Sequence, residues 1–151
     1  MKKLLCLVLI GILCLSGCTN NSVSIGKKSK YIVTNDLVSL KVKEGTLTKS
    51  IATLILENYT DDDYLFGKPY AIEKEVNGIW YELNPIKELV FNLPAYSLKA
   101  KERIELEIDW EYGYGILSPG KYRIIKGVFP NLDIPIEEDD IIYIAAEFMI
   151  K

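Results

Sequence analysis

The chain has 151 residues, 49% of them apolar, with 18 basic side chains against 21 acidic ones and no histidine. A formal charge of −3 argues against nucleic acid as a partner, and the lack of histidine removes the commonest general base and the commonest metal ligand together. The three cysteines, Cys6, Cys14 and Cys18, all lie at the start, so the rest of the chain offers no thiolate for zinc or for nucleophilic attack.

Lys2 and Lys3, the apolar run over residues 4–15 and the closing Leu15-Ser16-Gly17-Cys18 have the form of a secretory signal. The run is shorter than the about 20 residues a comfortable helical span needs. Small residues directly before a cysteine resemble the lipobox of bacterial lipoproteins. That resemblance implies removal of residues 1–17, a diacylglycerol on the Cys18 thiol, and a mature chain anchored on the extracytoplasmic face of the cell membrane. The mature part would then contain no disulfide and would be more acidic than the whole, because the leader takes Lys2 and Lys3 with it.

Residues 18–35 are rich in Asn, Ser, Gly and Lys with little hydrophobic periodicity, and they read as a flexible tether with a reach of roughly 55 Å. Lys27, Lys28 and Lys30 suit either a solvated linker or a touch on anionic headgroups.

From residue 36 to 151 short runs of Ile, Val, Leu, Thr and Tyr alternate with turn residues. This predicts one all-β domain, an antiparallel sandwich of seven to eight strands. Strands are expected near 37–43, 49–58, 70–76, 79–83, 89–93, 103–110, 121–129 and 141–150. In Arg103-Ile104-Glu105-Leu106-Glu107-Ile108-Asp109-Trp110 the alternation is unbroken, so Ile104, Leu106, Ile108 and Trp110 share the core face. Asn77-Gly78 predicts a two-residue hairpin in which Val76 opposes Ile79, Glu75 opposes Trp80 and Glu73 opposes Glu82. Trp80 then lies among carboxylates on the solvent face, unless a bulge at Gly78 turns it inward.

Ser118-Pro119-Gly120-Lys121-Tyr122 places a Pro-Gly corner directly before a strand whose second residue is tyrosine. This resembles the tyrosine corner of immunoglobulin-like sandwiches. With the 110–115 aromatic-glycine stretch, the 76–81 hairpin and the closing Ala146-Glu147-Phe148 strand, residues 36–151 are similar to bacterial immunoglobulin-like domains of exported and lipid-anchored proteins. The resemblance makes 49–58 strand B, 70–76 C, 103–110 E, 121–129 F and 141–150 G. It brings no catalytic residues, and no nucleophile elbow or Ser-x-x-Lys pairing is present. An enzyme is not expected.

In that fold the B–C and F–G loops emerge at one end. Asp61, Asp62 and Asp63 would then meet Asp133, Glu137, Glu138, Asp139 and Asp140 in an acidic tip, with the chain entering strand A beside it. Crowded carboxylates suit Ca²⁺ or a basic protein partner, although the spacing is not that of a calcium loop and Lys99 and Lys101 lie close enough in the topology to neutralise part of the charge. Tyr112, Tyr114 and Trp80 form a second candidate surface, for a glycan or a protein, with core cover as the competing role. The expected function is a non-catalytic protein-interaction module of the cell envelope, with ion or glycan binding as the alternative and no cofactor beyond Ca²⁺.

Overall fold

The computed structural model describes residues 23–92, 94–131 and 137–151. The leader and Cys18 therefore lie outside the described residues, as does Asp133. Among the described residues ten strands form two antiparallel sheets in an immunoglobulin-like sandwich. In chain order they are β1 (Ser24–Lys28), β2 (Val38–Val42), β3 (Ile51–Asn58), β4 (Tyr64–Phe66), β5 (Ala71–Val76), β6 (Ile79–Asn84), β7 (Tyr96–Leu98), β8 (Arg103–Asp109), β9 (Gly120–Pro130) and β10 (Ile142–Ile150). A single helical turn, α1 (Glu111–Tyr114), links β8 to β9. Among the described residues no helix is long and apolar enough to cross a membrane.

The smaller sheet has the order β2-β3-β8. In β3 burial alternates without a break, because Ala52, Leu54, Leu56 and Asn58 point inward and their neighbours outward. Ile104, Leu106 and Ile108 of β8 and then Trp110 share that inner side, as the alternation predicts. Trp110 is fully buried, and its indole N–H donates to the Lys49 carbonyl at 3.1 Å, so the ring brings no unpaired polar atom into the core.

The larger sheet is organised around β9. One edge of β9 pairs with the whole of β10 at residues 120–128, while the other takes β5 at residues 122–125 and β4 at residues 128–130. β6 and then β1 extend the sheet beyond β5, and β7 pairs with β4. The Asn77-Gly78 hairpin has the expected register, with Val76 opposite Ile79, Glu75 opposite Trp80 and Glu73 opposite Glu82. Both turn residues have positive φ, 53° and 78°, the conformation a tight hairpin between right-twisted strands requires.

Three expectations are corrected. Residues 89–93 form no strand among the described positions; the edge strand is β7, six residues beyond Val90, and β4 was not anticipated at all. The tether assigned to residues 18–35 is structured from Val23 onward: β1 pairs with β6 through Ser24↔Asn84 and Lys28↔Tyr81. The chain then crosses the outer face of the larger sheet and joins its far edge, where the Thr34 N–H donates to the Tyr143 carbonyl at 2.9 Å and Asn35 exchanges two hydrogen bonds with Ala145. The third correction follows from this path. β2 does begin at the acidic end, with Val38 opposite Asn58, but the chain enters the fold at the β6 edge beside Asn84 and not at the acidic tip.

The predicted corner before β9 is present. The Tyr122 hydroxyl donates to the Ser118 carbonyl at 2.8 Å, and its buried ring stacks on Phe148 with centroids 5.8 Å apart. Replacing Tyr122 with Phe removes this bond without changing the packing. A loss of about 1–3 kcal/mol in urea denaturation is the expected outcome, with the folded-state circular dichroism spectrum unchanged.

Candidate functional site

The acidic tip is built from a buried asparagine outward. Asn58 is 1% exposed, and its amide donates to the carbonyls of Asp62 at 2.8 Å and Lys99 at 2.9 Å. Its carbonyl accepts from the backbone and hydroxyl of Thr60, so three of its four side-chain bonds shape the 59–63 turn and the fourth, to Lys99, docks that turn on the one between β7 and β8. That docking brings Lys99 to 2.8 Å from Asp63 and Lys101 to 3.2 Å from Asp61. The Lys99 ammonium and the Ala100 N–H hold the Asp63 carboxyl below its ordinary range. Asp62 is exposed.

The other acidic stretch is used differently. In the turn at Glu138–Asp140, Asp140 accepts the Glu137 N–H at 2.9 Å and Glu137 caps in return. Glu138 and Asp139 line a depression with Lys30, Tyr31 and Ile32 of the crossing segment. Among the described residues no three acidic, histidine or cysteine side chains gather as ligands for a metal ion. Among the described residues the seven carboxylates expected at one tip therefore divide into two stretches with separate partners, and Asp133 lies outside the described residues.

The aromatic candidates also separate. Tyr114 is 3% exposed and belongs to the core, which removes it from any contact surface. Tyr112 is 63% exposed on α1, with the Lys87 ammonium 4.7 Å above its ring. Trp80 lies on the outer face of the sheet, as its register requires, but it is half-buried under cations instead of standing among free carboxylates. Arg123 sits 4.5 Å and Lys121 5.2 Å from its centroid. Arg123 Nε donates to the fully buried Glu73 at 2.7 Å, and Lys121 bridges Glu75 and Glu147. The crossing segment roofs this cluster: the Ser29 N–H donates to the Trp80 carbonyl, and the Ser29 hydroxyl accepts from Arg123. Beyond it the Tyr31 ring meets Tyr143 edge-on at 4.8 Å, and burial, followed by nearby Glu82, pushes its hydroxyl up to about 12.

A site not anticipated from the sequence lies along β8. Among the described strands β8 pairs with β3 alone, because β7 pairs with β4 in the other sheet. The second edge of β8 borders a groove of about 470 Å³ whose far wall is Phe66, Tyr70, Phe91 and Tyr96. Tyr70 closes one end by donating its hydroxyl to the Asp109 carbonyl at 3.2 Å. Lys126 lies at the side of the groove, 2% exposed, and its ammonium donates to the carbonyls of Gly67 at 2.9 Å and Pro69 at 3.1 Å. Those carbonyls belong to the break between β4 and β5.

A family model described as a bacterial Ig-like domain matches residues 34–148 of this chain. The chain belongs to the bacterial Ig-like domain family. No curated protein matches it. The matched region of the Ig-like domain runs from β2 through most of β10, and β1 and most of the crossing segment lie outside it. The groove along β8 falls wholly inside the family domain.

Burial pushes the Lys126 ammonium of the Ig-like domain down to about 8 from an ordinary 10.5. Between these values the unfolded chain binds more protons than the folded one, so stability rises with pH from about 8 towards 10. Urea midpoints at about pH 7.5 and pH 9.5 are expected to show this rise, and the Lys126→Met variant is expected to lose it.

Proposed function

We propose that the protein is a membrane-anchored extracytoplasmic lipoprotein whose Ig-like domain is a non-catalytic interaction module of the cell envelope. One observation carries the binding role: the smaller sheet ends on β8, whose outer edge pairs with no described strand and adjoins an aromatic groove. An unpaired strand edge presents backbone donors and acceptors that a partner can complete. The acidic tip is a weaker candidate, since Asp61 and Asp63 are already engaged by Lys101 and Lys99.

The anchor reading rests on the Lys2-to-Cys18 leader. Val23 already packs against the core, so a lipid on Cys18 would be joined to the domain by a reach of only about 18 Å instead of the 55 Å of a free tether. The domain would stand close to the bilayer with its β1 edge nearest the anchor.

Mild cross-linking in native membranes followed by affinity purification of the full chain tests this reading. The expected result is a stoichiometric partner retained after charge reversal at Asp61, Asp62 and Asp63, with the protein leaving the membrane fraction in a Cys18→Ala variant. A chain without any cross-linked partner would remove the interaction role, and a membrane-bound Cys18→Ala variant would remove the lipid anchor.

A further inference from the structure

The small sheet has three strands and faces a much wider one. Beside β8 the sandwich is one strand short. Leu106 points into the core but is only partly covered, while Tyr96 on the opposite wall is 40% exposed although it stacks on Phe66 at 5.6 Å. A strand laid against the free edge of β8 would continue the β2-β3-β8 ladder. Alternate side chains of that strand would enter the groove between Leu106 and the aromatic wall. We propose that this groove takes an extended segment of a partner protein, about seven residues long, in which apolar and basic residues alternate. The proposal deepens the interaction-module reading and rests on it.

Charge decides which partner fits. The solvent face of β8 carries Arg103, Glu105, Glu107 and Asp109. Glu105 is paired with Lys43 at 2.8 Å, and Asp109 accepts the Glu111 N–H at 2.9 Å, whereas Glu107 has no ion pair among the described residues. The cations bordering the groove are Lys68, which is exposed, and Lys126, which is buried and held by backbone carbonyls. Inward side chains of the ligand therefore meet aromatic and aliphatic surface, and outward ones meet the Glu105–Glu107 row, where like charges directly across the ladder are unfavourable and opposite charges favourable. A second copy of β8 paired antiparallel about Leu106 would place Glu105 opposite Glu107 twice at its centre, with Arg103 opposite Asp109 twice at its ends. Like charges at the centre and opposite charges at the ends of such a pairing offset one another, whereas a basic strand meets the Glu105–Glu107 centre with opposite charge alone and is the favoured occupant.

The test uses the full chain in detergent micelles and a nine-residue synthetic peptide alternating valine and lysine. Amide exchange read by mass spectrometry is expected to slow across residues 103–109 when this peptide is added, and a peptide with prolines replacing the central valines, which cannot extend a ladder, is expected to leave exchange unchanged. Glu107→Lys, an exposed substitution that leaves the core intact, is expected to weaken the lysine-valine peptide about tenfold and to strengthen a glutamate-valine peptide. Unchanged exchange at 103–109, or equal binding of the proline peptide, would overturn strand addition. Protection of 103–109 in a dimer without peptide would identify a second copy as the occupant and also overturn it. These outcomes are separable from the broader role: a cross-linked envelope partner that leaves amide exchange at 103–109 unchanged keeps the interaction module standing and removes only this groove as its site.

Discussion

Burial of β9 on both faces is the constraint from which much of this sandwich follows. Residues 122–126 are buried without alternation, unlike those of β3 or β8. Two cations lie in that run and point to opposite sides, Arg123 outward and Lys126 into the sandwich. A buried charge without partners is expensive, so each must be met by fixed acceptors. Arg123 is met by Glu73 and Ser29 beneath the crossing segment, and Lys126 by the carbonyls of residues 67 and 69.

The Lys126 arrangement has a consequence across the molecule. Residues 67–69, which wrap the ammonium and include Pro69, separate β4 from β5, although both run along the same edge of β9. β4 then offers its second edge to β7, which joins the larger sheet, and β8 is left as the edge of the smaller one. The groove at β8 and the break in the neighbouring strand are thus two sides of one arrangement. On the outer face the Glu73 Oε1 has no hydrogen-bond partner among the described residues, so this ion pair is better understood as specifying where the crossing segment lies than as a large source of stability.

Much of the sandwich was legible in the residues. Strict alternation in 103–110, the Asn77-Gly78 turn and the Pro119-Gly120 corner before Tyr122 are local patterns, and each is realised: Trp110 in the core, Glu75 opposite Trp80, and the Tyr122 hydroxyl on Ser118. β1 escaped because Ser24-Ile25-Gly26-Lys27-Lys28 has little apolar character and its pairing with β6 breaks register partway. Residues 89–93 were misread because a short apolar run does not say whether its backbone has a partner; Leu89 packs on the core without joining a ladder. At the acidic tip the approach of Lys99 and Lys101 is legible from the loop topology, but the pairing of Lys99 with Asp63 and of Lys101 with Asp61 depends on the buried Asn58.

The sequence by itself determined the all-β class, the inward and outward faces of the main strands, one hairpin register and the tyrosine corner. Side-chain period and turn chemistry are properties of a few consecutive residues. Only the tertiary structure decided which edges are paired, which outer face is roofed, and that Tyr114 is core while Tyr112 is exposed. Those outcomes depend on partners such as Lys126 with Gly67, or Ser29 with Arg123, 59 and 94 residues apart along the chain, and no local pattern encodes such meetings. The candidate binding edge belongs to the second group, because a strand is left free by where its neighbour goes and not by its own residues.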